Sequence, residues 1–121
     1  MEEKEIYLVV FDWSVEDGQD CDIAAFDSYG KALREYLAVL EDELNGDCSW
    51  VGDCIANGYA DIDTNIPEEI LKSIEADNAY NEYPKLCEDL ITHKQPLYYN
   101  IINSTDPSYA DFIELRCVKL Y

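Results

Sequence analysis

Carboxylates are the reactive groups this chain supplies in quantity, and their spacing limits the chemistry open to them. Asp61, Asp63 and Asn65 stand at alternate positions, as at the start of a calcium-binding loop. The pattern then breaks. Ile66 occupies the place of the required glycine, and Lys72 that of the bidentate glutamate. Asp17, Asp20 and Asp22 could gather a cation loosely, but a solvated turn explains them more simply. Cys48, Cys54, Cys87 and His93 lack the short cysteine spacing of a zinc site. The expectation is no metal and no cofactor, with a calcium-dependent module kept as an alternative.

Catalysis finds as little support. His93 is the only histidine. Cys87 precedes it by six residues, a separation that does not place two side chains on one helical face. No serine stands in a nucleophile-elbow motif. A catalytic site needs a nucleophile, a base and an orienting group together, so the sequence predicts a protein that is not an enzyme.

What remains is the charge itself. The 121 residues carry 27 acidic and 8 basic side chains, a net charge of −19. Solubility in a small domain needs a magnitude of only about 2–8, and self-repulsion beyond that costs stability. The distribution is uneven. Residues 1–93 hold 24 acids and 5 bases, whereas residues 94–121 hold three of each. Such a field repels nucleic acid and anionic membranes and attracts cationic proteins.

The elements that would position these groups are legible around one amphipathic helix, residues 28–45. Tyr29, Leu33, Tyr36, Leu37, Leu40 and Leu44 form its apolar stripe. Asp27 or Ser28 can cap its start and Gly46 its end. Glu41, Asp42 and Glu43 fall in its last turns, where the helix dipole disfavours anions by about 0.3–1 kcal/mol each when exposed. Residues 5–14 and 22–27 read as strands joined by a hairpin at Asp17-Gly18. In residues 46–66 a short strand around Trp50–Ala56 or Tyr59–Ile62 fits loosely among the glycines.

A second helix follows Pro67, with Glu68 and Glu69 favourably placed in its first turn. Pro84 precedes a short helix through Leu86, Leu90 and Ile91. Residues 97–103 and 112–121 read as the closing strands. The result is one α+β domain, an antiparallel sheet of about four strands in β-β-α-α-β-β order with helices on one face. Leu33, Leu37, Leu40, Val9, Phe11, Phe26 and Ile101 are its expected core. The acidic start MEEKEIYLVVF does not read as a secretory leader, and the five scattered cysteines read as reduced thiols. A cytoplasmic location, the host cytosol for a phage-encoded chain, is therefore expected.

In composition the chain resembles the small acidic DNA mimics of phages and mobile elements, such as antirestriction and anti-CRISPR proteins, a resemblance that assigns no residue. Independently, same-face strand residues lie roughly 6.8 Å apart and helical neighbours about 5–6 Å apart. This is comparable to phosphate spacing in a duplex with one charge every ~1.7 Å of axis. The expected contacts are Asp17, Asp20, Asp22, Glu41, Asp42, Glu43, Asp47, Asp53, Asp61 and Asp63, with Tyr59 among the tyrosines likeliest to be exposed in loops. The expected partner is a cationic nucleic-acid-binding protein such as a CRISPR effector, restriction enzyme or nuclease, with no direct binding to nucleic acid or membrane. An immunity or antitoxin protein covering a basic nuclease toxin is the alternative.

Overall fold

A computed structural model describes residues 4–15, 18–45, 50–75, 87–106 and 108–120. Five strands form one antiparallel sheet: β1 (Lys4–Val15), β2 (Gly18–Phe26), β3 (Ala60–Thr64), β4 (Leu97–Asn103) and β5 (Ala110–Leu120). The order across the sheet is β2-β1-β5-β4-β3. Four helices are described: α1 (Tyr29–Asn45), α2 (Trp50–Asn57), α3 (Glu68–Glu75) and α4 (Glu88–His93). The α+β class and the antiparallel sheet agree with the sequence reading. The strand number differs, because ADIDT pairs along β4 as an edge strand.

Alternation along the strands assigns the two faces. Tyr7 and Val9 of β1, Ile113 and Leu115 of β5, and Leu97, Tyr99 and Ile101 of β4 are buried on one face. Residues of all four helices join them in a single apolar cluster, including Leu37 and Leu40 of α1, Val51 of α2, Ile70 and Ile74 of α3, and Leu90 of α4. The six stripe residues of α1 all lie in or against this cluster. Phe11 and Phe26, expected in the core, are only partly buried at its margin.

Two hydrogen-bonded ties set the level of the helices on the sheet. The buried Tyr36 hydroxyl of α1 donates to the Ile113 carbonyl at 2.9 Å. At β3, Thr64 Oγ1 donates to the Tyr98 carbonyl at 2.6 Å and accepts the Ile66 N–H at 3.1 Å, turning the chain into α3. Pro67 then stands just ahead of α3, where its missing N–H removes no helical bond.

Several boundaries differ from the sequence reading. Of the two places expected for a short strand, Trp50–Ala56 is instead helix, within Trp50–Asn57, whereas Tyr59–Ile62 overlaps β3 at Ala60–Thr64. Val51 and Cys54 fall one helical turn apart and are both buried, which favours helix in a short apolar run. β2 begins at Gly18, paired with Val15, so Gly18 belongs to the strand. β5 begins two residues earlier than expected, at Ala110, and β1 extends one residue beyond the expectation at each end. Gly46, the expected helix stop, lies outside the described residues. Among the described residues, no helix is long and apolar enough to cross a membrane.

Candidate functional site

The direction of α1 decides which acids meet. Tyr29, at its start, meets Tyr7 edge-on with ring centroids 5.6 Å apart. Tyr36 reaches Ile113, which pairs with Phe11. The helix therefore runs alongside β1 in the same direction. Six more residues advance it by about 9 Å, and two more strand residues advance β1 by about 7 Å. Glu41 and Asp42 thus fall near the level of Trp13, which pairs with Asp20 of β2, while Phe11 pairs with Asp22.

Asp20 and Asp22, both exposed on the edge strand, therefore share one level along the sheet with exposed Asp42 and half-buried Glu41, and Glu41 lines the cleft between α1 and α4 beside Cys87 and Ile91. Phe11 and Trp13 stand opposite Asp22 and Asp20 on β1, with ring centroids 4.9 Å apart, and both are half-buried. Trp13 was not singled out from the sequence. Its pairing with Asp20 depends on strand register, which sequence shows only indirectly.

A second acidic group occupies the opposite edge. Asp61 and Asp63 of β3 are both exposed and share the sheet face that points away from the helices. Four strand spacings, about 19 Å, separate β3 from β2. Asp63 pairs with Asn100, Asn100 with Phe112 and Phe112 with Asp12, so both acidic groups lie toward the same end of the sheet. Tyr59 is fixed there by its carbonyl, which accepts from the Ser104 N–H at 2.7 Å and Ser104 Oγ at 2.9 Å, while the residue stays 49% exposed.

Not every expected contact joins these groups. Glu43 is buried at 9% exposure, so it cannot stand at an exposed rim. Its position on the stripe through Tyr36 and Leu40 explains this, and the same spacing was available in the sequence. Asp53 lies on α2, but its side chain is outside the described portion, as are Asp17 and Asp47 altogether.

The described basic residues lie mainly elsewhere. Lys4, Lys94 and Lys119 gather at the far end of the sheet, where Lys94 Nζ pairs with Glu5 at 3.3 Å. Hydrogen bonds from Tyr7 and Lys94 hold the Glu5 carboxyl below the usual carboxylate range. Lys31 and Arg34 occupy the first half of α1, where Lys31 pairs with Asp27 at 3.2 Å. Lys72 pairs with Glu68 at 3.4 Å, and Arg116 with Glu114. Asp20, Asp22, Asp42, Asp61 and Asp63 have no such ion pair among the described residues. These five carboxylates thus lie toward one end of the sheet and Lys4, Lys94 and Lys119 toward the other, while exposed Glu35, Glu69, Glu88 and Asp89 of the helices also have no ion pair among the described residues.

Among the described residues, which exclude the metal candidates Asp17 and Cys48, the catalytic and metal candidates do not assemble. Cys87 is buried in the apolar cluster, whereas His93 is exposed at the end of α4. Burial pushes the Cys87 thiol up to about 11, away from the thiolate a nucleophile requires. Asn65 uses its side chain to tie the end of β3 to β4: Oδ1 accepts the Tyr98 N–H and Nδ2 donates to the Pro96 carbonyl, both at 2.9 Å. Among the described residues no three His, Cys, Asp or Glu side chains converge as a metal site. Cys21, Cys54, Cys87 and Cys117 form no disulfide among the described residues.

No protein-family model, no curated protein and no solved structure matches this chain.

Proposed function

We propose that this protein is an acidic inhibitor that mimics nucleic acid and occupies the basic cleft of a nucleic-acid-handling protein. The observation that carries the reading is the polarisation of charge along the sheet. Exposed carboxylates from β2, α1 and β3 gather toward one end of the sheet, while the lysines near β1 and β5 termini stand at the other. A charge of −19 exceeds what solubility requires. The acids of α1 also sit against its dipole, so they serve something other than helix stability.

In this reading Asp20, Asp22, Glu41 and Asp42 replace phosphates on one flank, and Asp61 and Asp63 on the other. Trp13 and Tyr59 supply apolar contact beside them, as tryptophan and tyrosine do at binding hot spots. The partner is a nuclease, restriction enzyme or CRISPR effector, whose lysines and arginines already line a phosphate track. A toxin nuclease bound by an immunity protein presents the same chemistry.

The test is elution. The immobilised protein is loaded with its native-host lysate at low salt and washed with duplex DNA or an uncharged polymer. Release of a nucleic-acid-binding protein by DNA alone supports the proposal. Retained proteins indifferent to DNA contradict it.

A further inference from the structure

β2 ends one side of the sheet, and its strand neighbour is β1 alone. At nine residues it is long enough for a full strand to pair along it, whereas β3, the other edge, has five. Residues of an antiparallel strand alternate between bonding a given neighbour and turning their N–H and C=O groups to the opposite side. One bond sets the phase of that alternation on β2. The Cys21 N–H donates to Asp20 Oδ1 at 2.9 Å, so it points away from β1. The other half of the sheet gives the same phase. The Asn103 N–H donates to the Tyr109 carbonyl at 3.0 Å. Alternation from that pair turns Phe112 toward Asp12, and Asp12 toward β5 rather than toward Cys21. Cys21, Ile23 and Ala25 therefore present backbone donors and acceptors outward.

The side chains of this edge are sorted by face. Asp20 and Asp22 pair with Trp13 and Phe11 and share the helix-side face of the sheet. Cys21, Ile23 and Ala25 share the open face, all three exposed, Ile23 at 65%. β2 carries no lysine or arginine, and neither aspartate has an ion pair among the described residues. A second copy of this chain fits the edge poorly. Antiparallel self-pairing about Cys21 sets Asp20 opposite Asp22, like charges that repel across a ladder, and each copy carries −19. A strand that alternates cations with apolar side chains fits both faces.

We propose that β2 receives an extended segment of a basic protein partner as an added strand, with lysine or arginine beside Asp20 and Asp22 and apolar side chains beside Ile23. The inference rests on the proposed function for the existence of a cationic partner, and it adds a defined mode of attachment at one edge. In strand addition the main chain supplies affinity and alternate side chains supply specificity. The alternating aspartates blunt the edge against apolar or acidic strands and leave it open to a basic one. When the incoming strand takes the Cys21 N–H, Asp20 Oδ1 is released to meet a cation.

The experiment titrates the full chain with a peptide of alternating lysine and valine, and with two controls of equal length. One control holds the same residues in separate blocks, and the other alternates glutamate with valine. Affinity and amide hydrogen exchange by NMR are followed together. The alternating basic peptide should slow exchange at Cys21, Ile23 and Ala25 roughly tenfold or more and bind roughly tenfold more tightly than the blocked one. Ile23→Pro removes an outward N–H that the β1 ladder does not use, so the fold is kept and the peptide's advantage is lost. Equal binding of the two basic peptides, with these three amides unprotected and with weakening only on charge reversal of Asp20 and Asp42, would overturn strand addition while the acidic-end reading stands. Equal protection by the glutamate peptide would overturn the choice of a basic strand. Amides already protected in a dimer of the free chain would assign the edge to a second copy, and absence of any peptide binding at low salt overturns the inference as well.

Discussion

Tyr36 and Ile113 are joined by a buried hydrogen bond of 2.9 Å that fixes where along the sheet α1 sits. Because Ile113 pairs with Phe11, the bond also determines which strand residues lie beside the acidic end of the helix. Tyr36→Phe keeps the ring and leaves the Ile113 carbonyl without this donor, at a cost of about 1–3 kcal/mol. Urea unfolding checks it. A midpoint equal to that of the parent would mean that the bond does not hold the helix in register. Leu37→Ala, at a fully buried position, should cost about 2–5 kcal/mol by the same measurement.

The buried tyrosines also set an alkaline limit. Burial raises the Tyr29 and Tyr36 phenols above their ordinary value of 10.0, and the Cys87 thiol from 9.0 to about 11. Each folded pKa lies above the unfolded one, so at high pH the unfolded state has released more protons than the native state. The contribution is complete below the unfolded values and is lost as pH rises through and beyond them. Stability should therefore decline from about pH 9 upward, and Tyr36→Phe should shallow the slope. A flat profile from pH 8 to 11 would contradict the assigned burial.

Much of this architecture is legible in the residues themselves. LYYNIIN is a short run rich in tyrosine and isoleucine and is β4 to the residue, with burial alternating from Leu97 to Ile101. The stripe from Tyr29 to Leu44 locates α1 because every member is spaced for one face. The strand order is another matter: β5 inserts between β1 and β4, a pairing set by contacts distant in sequence. WVGDCIAN misleads because a short apolar run fits either period. At the candidate site, the abundance of acid is plain from composition, but its gathering at one end depends on register and helix direction. Glu43 shows the limit from the other side, as an acid on the buried stripe counted with its exposed neighbours.

Binding and folding should pull in opposite directions at Asp42. This exposed carboxylate sits in the closing turns of α1, where no basic residue offsets the dipole. Asp42→Lys should stabilise the fold by about 0.3–1 kcal/mol. The same change should slow association with a basic partner while changing dissociation little, as expected of a rim charge. Asp27, exposed beyond the Phe26–Tyr7 pair at the opposite end of the sheet, is the position for comparison, since Asp106 adjoins Tyr59 at the acidic end. Asp111 cannot serve because it is 1% exposed. Thermal unfolding and stopped-flow binding measure the two effects separately. Loss of both stability and binding would point to a structural role for Asp42.

The central claim is that this protein and nucleic acid compete for the same cationic surface. The direct measurement is equilibrium binding of the purified partner to labelled duplex DNA with rising amounts of this protein, repeated across a salt series. The account predicts mutually exclusive binding, with displacement weakening steeply as the screening length falls from roughly 30 Å at 0.01 M salt to 3 Å at 1 M. A ternary complex in which the partner holds DNA and this protein together, each with undiminished affinity, would contradict it.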